Sequence, residues 1–403
     1  MPILQPVDRP AHVPAHLVVD FDVYMPLKSG DDYHDPYLRL QQQGVPPIFW
    51  SPHNGGQWVV TKRDLMYRMF ADHENFSSEK LVAPKESAPD AFRQYPIQLN
   101  PPEHGVYRAL FSAAFILPAV KAREGEVRDL ARSLVEQLAP KGRCEFVADF
   151  AQHLPIKVFM GMVDLPEADR TALIALADTV VGPHSGDKMA AFAAINAYIA
   201  KAVDARLAKP GNDLISKVAT ARFEDKPIGR YEAISVCSLL LIGGLDTVAS
   251  MLGHVVHFLA THPEHRRQLV EQPSLIPDAT DEFLRRFALT NPGRILARDV
   301  EYEGVSFKLG EMVAFATPFA AVDPLAYDAA DQVDFSRKSP MSTTFGNGPH
   351  RCPGNMLARA EIRVMLEEWM PRIPNFRLDP NAPPVIRTGV NGSFAALSLV
   401  WDI

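Results

Sequence analysis

The chain has 403 residues, 47% hydrophobic and 22% charged, the make-up of a folded globular protein and not of a disordered one. Its formal charge of −7 and the lack of long Lys/Arg runs argue against nucleic acid as the main partner. Cys144, Cys237 and Cys352 stand far apart, which excludes a disulfide framework or a Cys-x-x-Cys metal pair, so each cysteine is judged alone.

In chain order, Met1 to Asp20 mixes Pro, His, Arg and Asp and reads neither as a secretory leader nor as a membrane anchor; a cytoplasmic protein with no membrane partner is expected. Ile48 to Thr61 has two aromatic and β-branched runs around Asn54-Gly55-Gly56, a hairpin signal. Pro101-Pro102-Glu103-His104-Gly105-Val106-Tyr107-Arg108 opens a helix, with His104 and Arg108 four apart on one face, where both can reach one carboxylate. Helical spacing then dominates as far as about Val270, in segments such as Val120 to Leu138 and Met189 to Leu207.

Ser235 to Ala260 is long and apolar enough to span a bilayer, but Asp246, His254 and His257 interrupt it, so a helix buried at the centre of the fold is expected. Within it, Leu241-Ile242-Gly243-Gly244-Leu245-Asp246-Thr247 sets two glycines, an acid and an alcohol where helix propensity disfavours all four. Adjacent glycines loosen the helix ladder and leave room for a diatomic ligand, while a Thr hydroxyl can hold a water that delivers protons. Glu282-Phe283-Leu284-Arg285 places an acid and a base on one helix face. Val300 to Phe315 and Ala395 to Trp401 read as strands, with a Gly-containing turn inside the first stretch. The strands bracket the helices and no linker or repeat interrupts them, which predicts one domain over residues 1–403, mainly α with a smaller β portion.

Phe345-Gly346-Asn347-Gly348-Pro349-His350-Arg351-Cys352-Pro353-Gly354 precedes a helical run from Asn355 to Trp369. Cys352 therefore stands at a helix N-terminus, where free backbone N–H groups and the positive end of the dipole favour thiolate over thiol. Gly346 and Gly348 let the loop turn tightly toward the sulfur. A thiolate is the ligand a haem iron uses to push electron density into an O–O bond. The stretch fits F-G-x-G-x-H-x-C-x-G at every fixed position, a match of on the order of 1 in 10⁹ per position by chance.

This loop resembles the haem-binding loop of the cytochrome P-450 superfamily. The likeness extends over nearly the whole chain and is greatest with the camphor-hydroxylating bacterial branch, in runs such as Leu241 to Val248 and Ala395 to Asp402. It implies a P-450 fold, haem b (iron protoporphyrin IX) as cofactor, Cys352 as iron ligand and Phe345 at the start of the loop that holds the haem. By the same resemblance His104, Arg108, Arg294 and His350 bind the haem propionates, and Glu282 and Arg285 lock the core beneath the haem. Asp246 and Thr247 match the acid-alcohol pair that supplies protons for O–O cleavage. The implied activity is monooxygenation with O2 and electrons from a [2Fe-2S] ferredoxin and its ferredoxin reductase. Two other functions use the same haem: a peroxide-driven peroxygenase, for which Asp246-Thr247 would be superfluous, and a non-catalytic sensor, which would call for a partner domain.

The resemblance lines the substrate pocket with Phe92, Leu239, Ile242, Gly243, Leu289, Thr290, Val390 and Asn391. Phe92 falls where camphor hydroxylases bond a ketone through a tyrosine, and a shifted alignment offers Tyr95 instead. Pro292 replaces an aspartate of that branch near a propionate. A small apolar terpenoid is expected, cineole-, ionone- or camphor-like, with Thr290 and Asn391 as polar exceptions suited to an ether or ketone oxygen. Arg108, Arg337, Lys338, Arg351 and Arg359 are expected to form a basic patch for an acidic ferredoxin, on a monomeric enzyme.

Overall fold

The computed structural model describes residues 5–28, 30–79, 93–181, 187–338 and 341–403. Helices dominate and the strands gather in small sheets, as the patterning predicts. The N-terminal hairpin is present: β1 (Ile48–Ser51) pairs antiparallel with β2 (Gln57–Val60), Trp50 opposite Trp58. Asn54, Gly55 and Gly56 between them all take positive φ, the left-handed backbone that such a turn needs.

This hairpin belongs to a five-stranded sheet with β3 (Phe76–Ser77), β4 (Gly293–Leu296) and β5 (Met312–Ala314), in the order β1-β2-β5-β4-β3. β5 lies parallel to β2 and antiparallel to β4, where Arg294 faces Val313 in register. Both ends of the chain thus build one sheet, and its apolar side, with Trp58, Phe76, Phe307 and Phe315, forms a small core of its own. The stretch from Val300 to Phe315 forms strands around a Gly-containing turn, as its sequence predicts: Glu303 and Gly304 turn at positive φ and separate Val300–Tyr302 from Val305–Phe307, and Met312–Ala314 follows.

The larger core is helical. It contains α1 (Glu103–Ser112), α2 (Leu117–Leu138), α3 (Arg230–Leu245), α4 (Thr247–Thr261), α5 (Ile276–Arg286) and α6 (Asn355–Trp369). α3 and α4 are the two halves of the predicted central helix. Among the described residues Arg230–Thr261 is one stretch long and apolar enough to cross a membrane, but 65% of its most apolar window is buried in the protein. The helix breaks at Asp246, whose φ of −109° departs from helical geometry. Gly243-Gly244 loosens the preceding turn, and the Thr247 hydroxyl donates back to the Gly243 carbonyl at 3.1 Å. A further hairpin, β6 (Val385–Arg387) with β7 (Ser393–Ala396), brings the loop 388–392 against α4.

Candidate active site

Cys352 stands between a short turn, Gly348–His350, and α6, as the sequence predicts. Its N–H donates to the Phe345 carbonyl at 2.8 Å, which closes the loop back on itself. Gly348 has a φ of +69°, and a side chain there would meet the Ala71 backbone at 2.6 Å, so the turn admits only glycine. The sulfur lies deep in the protein yet is not sealed from solvent. Burial pushes its thiol pKa up, against the opposing pull of the Gly354 N–H, Arg108 and Arg351. The helix N-terminus alone therefore does not hold a thiolate here; a bound cation does that best. The Phe345 ring packs under the Arg359 guanidinium at 5.0 Å, and Arg359 donates to Asp281 at 2.7 Å.

Beside this loop the structure gathers the four basic residues that the sequence singled out. Arg294 is only 6% exposed, between the rings of Phe70 and Phe315 at 5.8 and 6.0 Å, and its guanidinium donates to the Gly293 carbonyl. Burial lowers its pKa to about 10. His350 and His104 lie ring to ring at 4.3 Å. Burial, then Arg294, His104 and Arg108, push His350 down to about 2, while burial and Arg108 push His104 to about 4. Arg108 reaches the Arg351 carbonyl at 2.5 Å and has its own pKa lowered by burial. Among the described residues no carboxylate pairs with any of the four, and His350 Nε2 is buried without a hydrogen-bond partner.

Glu282 and Arg285, by contrast, form a closed network. Both are fully buried and joined by two parallel hydrogen bonds of 2.7 and 2.8 Å. Arg285 also donates to the carbonyls of Ala321, Ala330 and Gln332, and Glu282 accepts from the Asp334 N–H and from Arg337. Arg337 was missed as a member of this network, since its exposure is unreadable from its place in the chain.

Across the central helix, Gly243 is exposed although Leu240 and Leu241 beside it are buried, and a Cβ placed on it would meet nothing within 4 Å. Gly244 is different: its Cβ would press on Phe159 at 3.1 Å. Only the first glycine opens into free space. Asp246 is 6% exposed, accepts from the Asn391 amide at 3.3 Å and faces Arg387 at 3.5 Å.

The pocket residues expected by resemblance divide. Leu239, Ile242, Thr290, Val390 and Asn391 are partly buried, as residues on the wall of an interior space are. Thr290 and Asn391 are joined by an isolated bridge, and Asn291 N–H donates to the Val390 carbonyl at 2.8 Å, so these two segments form one wall. Leu289 is buried in the core and its carbonyl accepts from Gly392 N–H and the Tyr33 hydroxyl. Asn391 spends its amide on Asp246 and not on the pocket alone, a pairing of distant residues that spacing cannot reveal. Phe92 lies outside the described residues. Tyr95 meets Tyr107 at a 32° tilt with ring centres 4.9 Å apart, and Tyr231 edge-on at 6.1 Å.

The basic patch expected for a ferredoxin is corrected by the same geometry. Arg108 and Arg337 turn inward, and Arg359 and Lys338 are paired with Asp281 and Asp278 at 2.7 Å. Of the five, Arg351 is the exposed cation with no acid partner among the described residues.

Residues 170–389 match the family model for cytochrome P450. The whole chain is similar to a probable cytochrome P450 127A1 of Sinorhizobium fredii, 31% identical over 402 residues that cover 97% of this chain and 96% of that one. The chain belongs to the cytochrome P450 family. A vitamin D3 dihydroxylase of Streptomyces griseolus is also 31% identical, over 88% of this cytochrome P450 and 90% of its own length. Two crystal structures superpose closely on it, CYP101J2 at 38% identity and CYP101C1 at 36%, each with a TM-score of 0.90 over 98% of this chain and 100% of the other. The protein is accordingly a haem b enzyme and a monooxygenase that uses O2 and electrons from a redox partner.

The residues present fit the haem. A cluster of Arg294, His350, His104 and Arg108 with no acid among them suits a group that carries two carboxylates, because unpaired buried charges and an orphaned ring nitrogen are costly. The Cys352 sulfur would hold the haem iron, and the open space at Gly243 would leave room for a small ligand.

Proposed function

We propose that this cytochrome P450 hydroxylates a small apolar terpenoid, cineole-, ionone- or camphor-like, with electrons from a [2Fe-2S] ferredoxin and its ferredoxin reductase, as one cytoplasmic monomer whose 403 residues work as a single domain. The observation that carries the reading is Gly243, which faces open space in the middle of the core, one turn before Thr247 and beside Ile242. When bound, haem supplies the redox chemistry that puts one oxygen atom into the substrate and the other into water.

The chain's own residues do the rest. Cys352 binds the iron through its sulfur, with Phe345 closing the loop around it, and Arg294, Arg108, His104 and His350 hold the propionates. Leu239, Ile242, Thr290 and Val390 exclude water and orient the substrate mainly by shape. Burial of an apolar ligand at about 25 cal/mol per Å2 is enough for micromolar binding without a directed bond. The Thr247 hydroxyl holds a proton at Oγ1, and the Asp246 carboxylate, after taking up a proton from solvent, passes it on to replace the one given up. An acidic ferredoxin docks near Arg351, with a weak dependence on ionic strength, since the neighbouring cations are already paired.

Titration with cyclic ethers and ketones of monoterpene to norisoprenoid size, followed by the shift of the haem absorption band, tests the substrate class. Micromolar shifts with cineole or ionone are expected, and a response to charged ligands alone would refute it. Cys352→His should abolish the red-shifted band of the reduced, CO-treated protein. If the band survives in that variant, another residue holds the iron.

A further inference from the structure

The hairpin β6–β7 touches two parts of the proposed site at once. Its loop carries Val390, which orients the substrate in the proposed reading, and Asn391 next to it. Arg387, at the end of β6, reaches Asp246, and Asn391 in the loop donates to the other oxygen of the same carboxylate. Asp246 is 6% exposed and Arg387 is shielded as well, its side chain 23% exposed, so their attraction is screened less than that of a surface pair. Among the described residues these are the two side chains that bond the Asp246 carboxylate.

The loop is fixed at several points on either side of Asn391. Arg387 stands opposite Ser393 in the ladder and donates to its hydroxyl at 3.2 Å. The Gly392 carbonyl meets His254 of α4 at 3.1 Å, its N–H donates to Leu289, and a Cβ on Gly392 would collide with the Tyr33 ring. Phe394 packs on Gly253 of α4. A ligand that presses on Val390 or Asn391 therefore bears directly on the segment that holds the partners of Asp246.

We propose that Arg387 and Asn391 are positioning residues for the Asp246 carboxylate, so that the loop contacting the substrate also sets where the proton-supplying acid stands. The inference rests on the proposed proton role of Asp246 and Thr247. A well-fitting substrate leaves the loop in place and the acid aligned with Thr247. A poorly fitting one displaces Asn391, loosens the carboxylate, and lets reducing equivalents run to hydrogen peroxide without product.

The test compares Arg387→Gln, Arg387→Lys and Asp246→Asn in the haem-loaded enzyme, with the best terpenoid ligand from the titration. Three quantities are read: product formed per NADH, the stretching frequency of CO on the reduced protein, and the substrate Kd. Arg387→Gln should shift or broaden the CO band and lower product per NADH several-fold, with Kd within about twofold of the parent, and Arg387→Lys should restore both. Asp246→Asn should slow turnover. An unchanged CO band and unchanged coupling in Arg387→Gln, while Asp246→Asn is slow, overturns the inference and leaves the proton role standing. Coupling lost only in step with Kd marks a structural strut and overturns it too. Normal turnover in Asp246→Asn removes the proton role and the inference together.

Discussion

Two groups of buried polar side chains, one around Glu282 and Arg285 and one around Arg294 and His350, differ in kind. In the Glu282–Arg285 group every strong donor finds an acceptor: two mutual hydrogen bonds, three backbone carbonyls, and Arg337 on the outer side. In the Arg294–His350–His104–Arg108 group two guanidinium groups sit with two imidazoles that burial and the neighbouring cations keep neutral, and no acid enters among the described residues. A network satisfied by its own chain holds the fold together. One left unsatisfied awaits something that is not protein.

The contrast can be broken by removing one member from each group. Arg285→Ala leaves Glu282 buried without its bidentate partner, and is expected to cost about 3–5 kcal/mol of stability. A denaturant midpoint close to that of the parent would mean that Arg337 and the backbone alone suffice for Glu282. Arg294→Met has the opposite sign before haem is bound. It removes a buried cation without a carboxylate partner, and should leave the haem-free protein as stable as the parent or more stable, by about 1–3 kcal/mol. The same change should speed the loss of haem to a competing apoprotein. If Arg294→Met destabilised the haem-free chain as Arg285→Ala does, the two groups would not differ in kind.

Acid sharpens the comparison by a smaller amount. Folding lowers the His104 pKa from about 6.5 to about 4, so between these values the unfolded chain binds a proton that the folded chain refuses. Stability without haem is then present above about 6.5 and falls as pH drops toward 4, by at most about 1.4 kcal/mol per pH unit for this residue. His104→Gln should flatten that acid limb when denaturant midpoints are measured across the window. Identical slopes in parent and variant would place the acid sensitivity elsewhere, with the buried His254, itself lowered to about 4, the next candidate.

What was legible in the sequence was local. The Cys352 loop, the turn at Asn54-Gly55-Gly56 and the Glu282–Arg285 spacing each lie within a few residues, where φ preferences and helix periodicity act directly. The central helix was legible as buried, and its break at Asp246 was foreshadowed by four residues that disfavour helix. The partners of these groups were not legible. Arg337 folds into the Glu282 network from 55 residues downstream, as the hydrogen bond to Glu282 shows, and Arg387 meets Asp246 from a hairpin far along the chain. Charge counted along the chain made a basic patch of five residues, yet all but Arg351 turn inward or are already paired. Fold class follows from pattern; which charges remain free is decided by tertiary contacts.

The mixed sheet carries a consequence for assembly. Trp58 of β2 pairs with Val313 of β5, and Phe76 of β3 with Leu296 of β4, so strands made early in synthesis wait for strands made late. Such long-range pairing slows folding and leaves the open edge of the first hairpin available to wrong partners meanwhile. Cys352 emerges later still. Haem can therefore be captured only after nearly the whole chain has left the ribosome, and a nascent chain stalled before residue 293 would present an aggregation-prone hairpin with no means of retaining the cofactor.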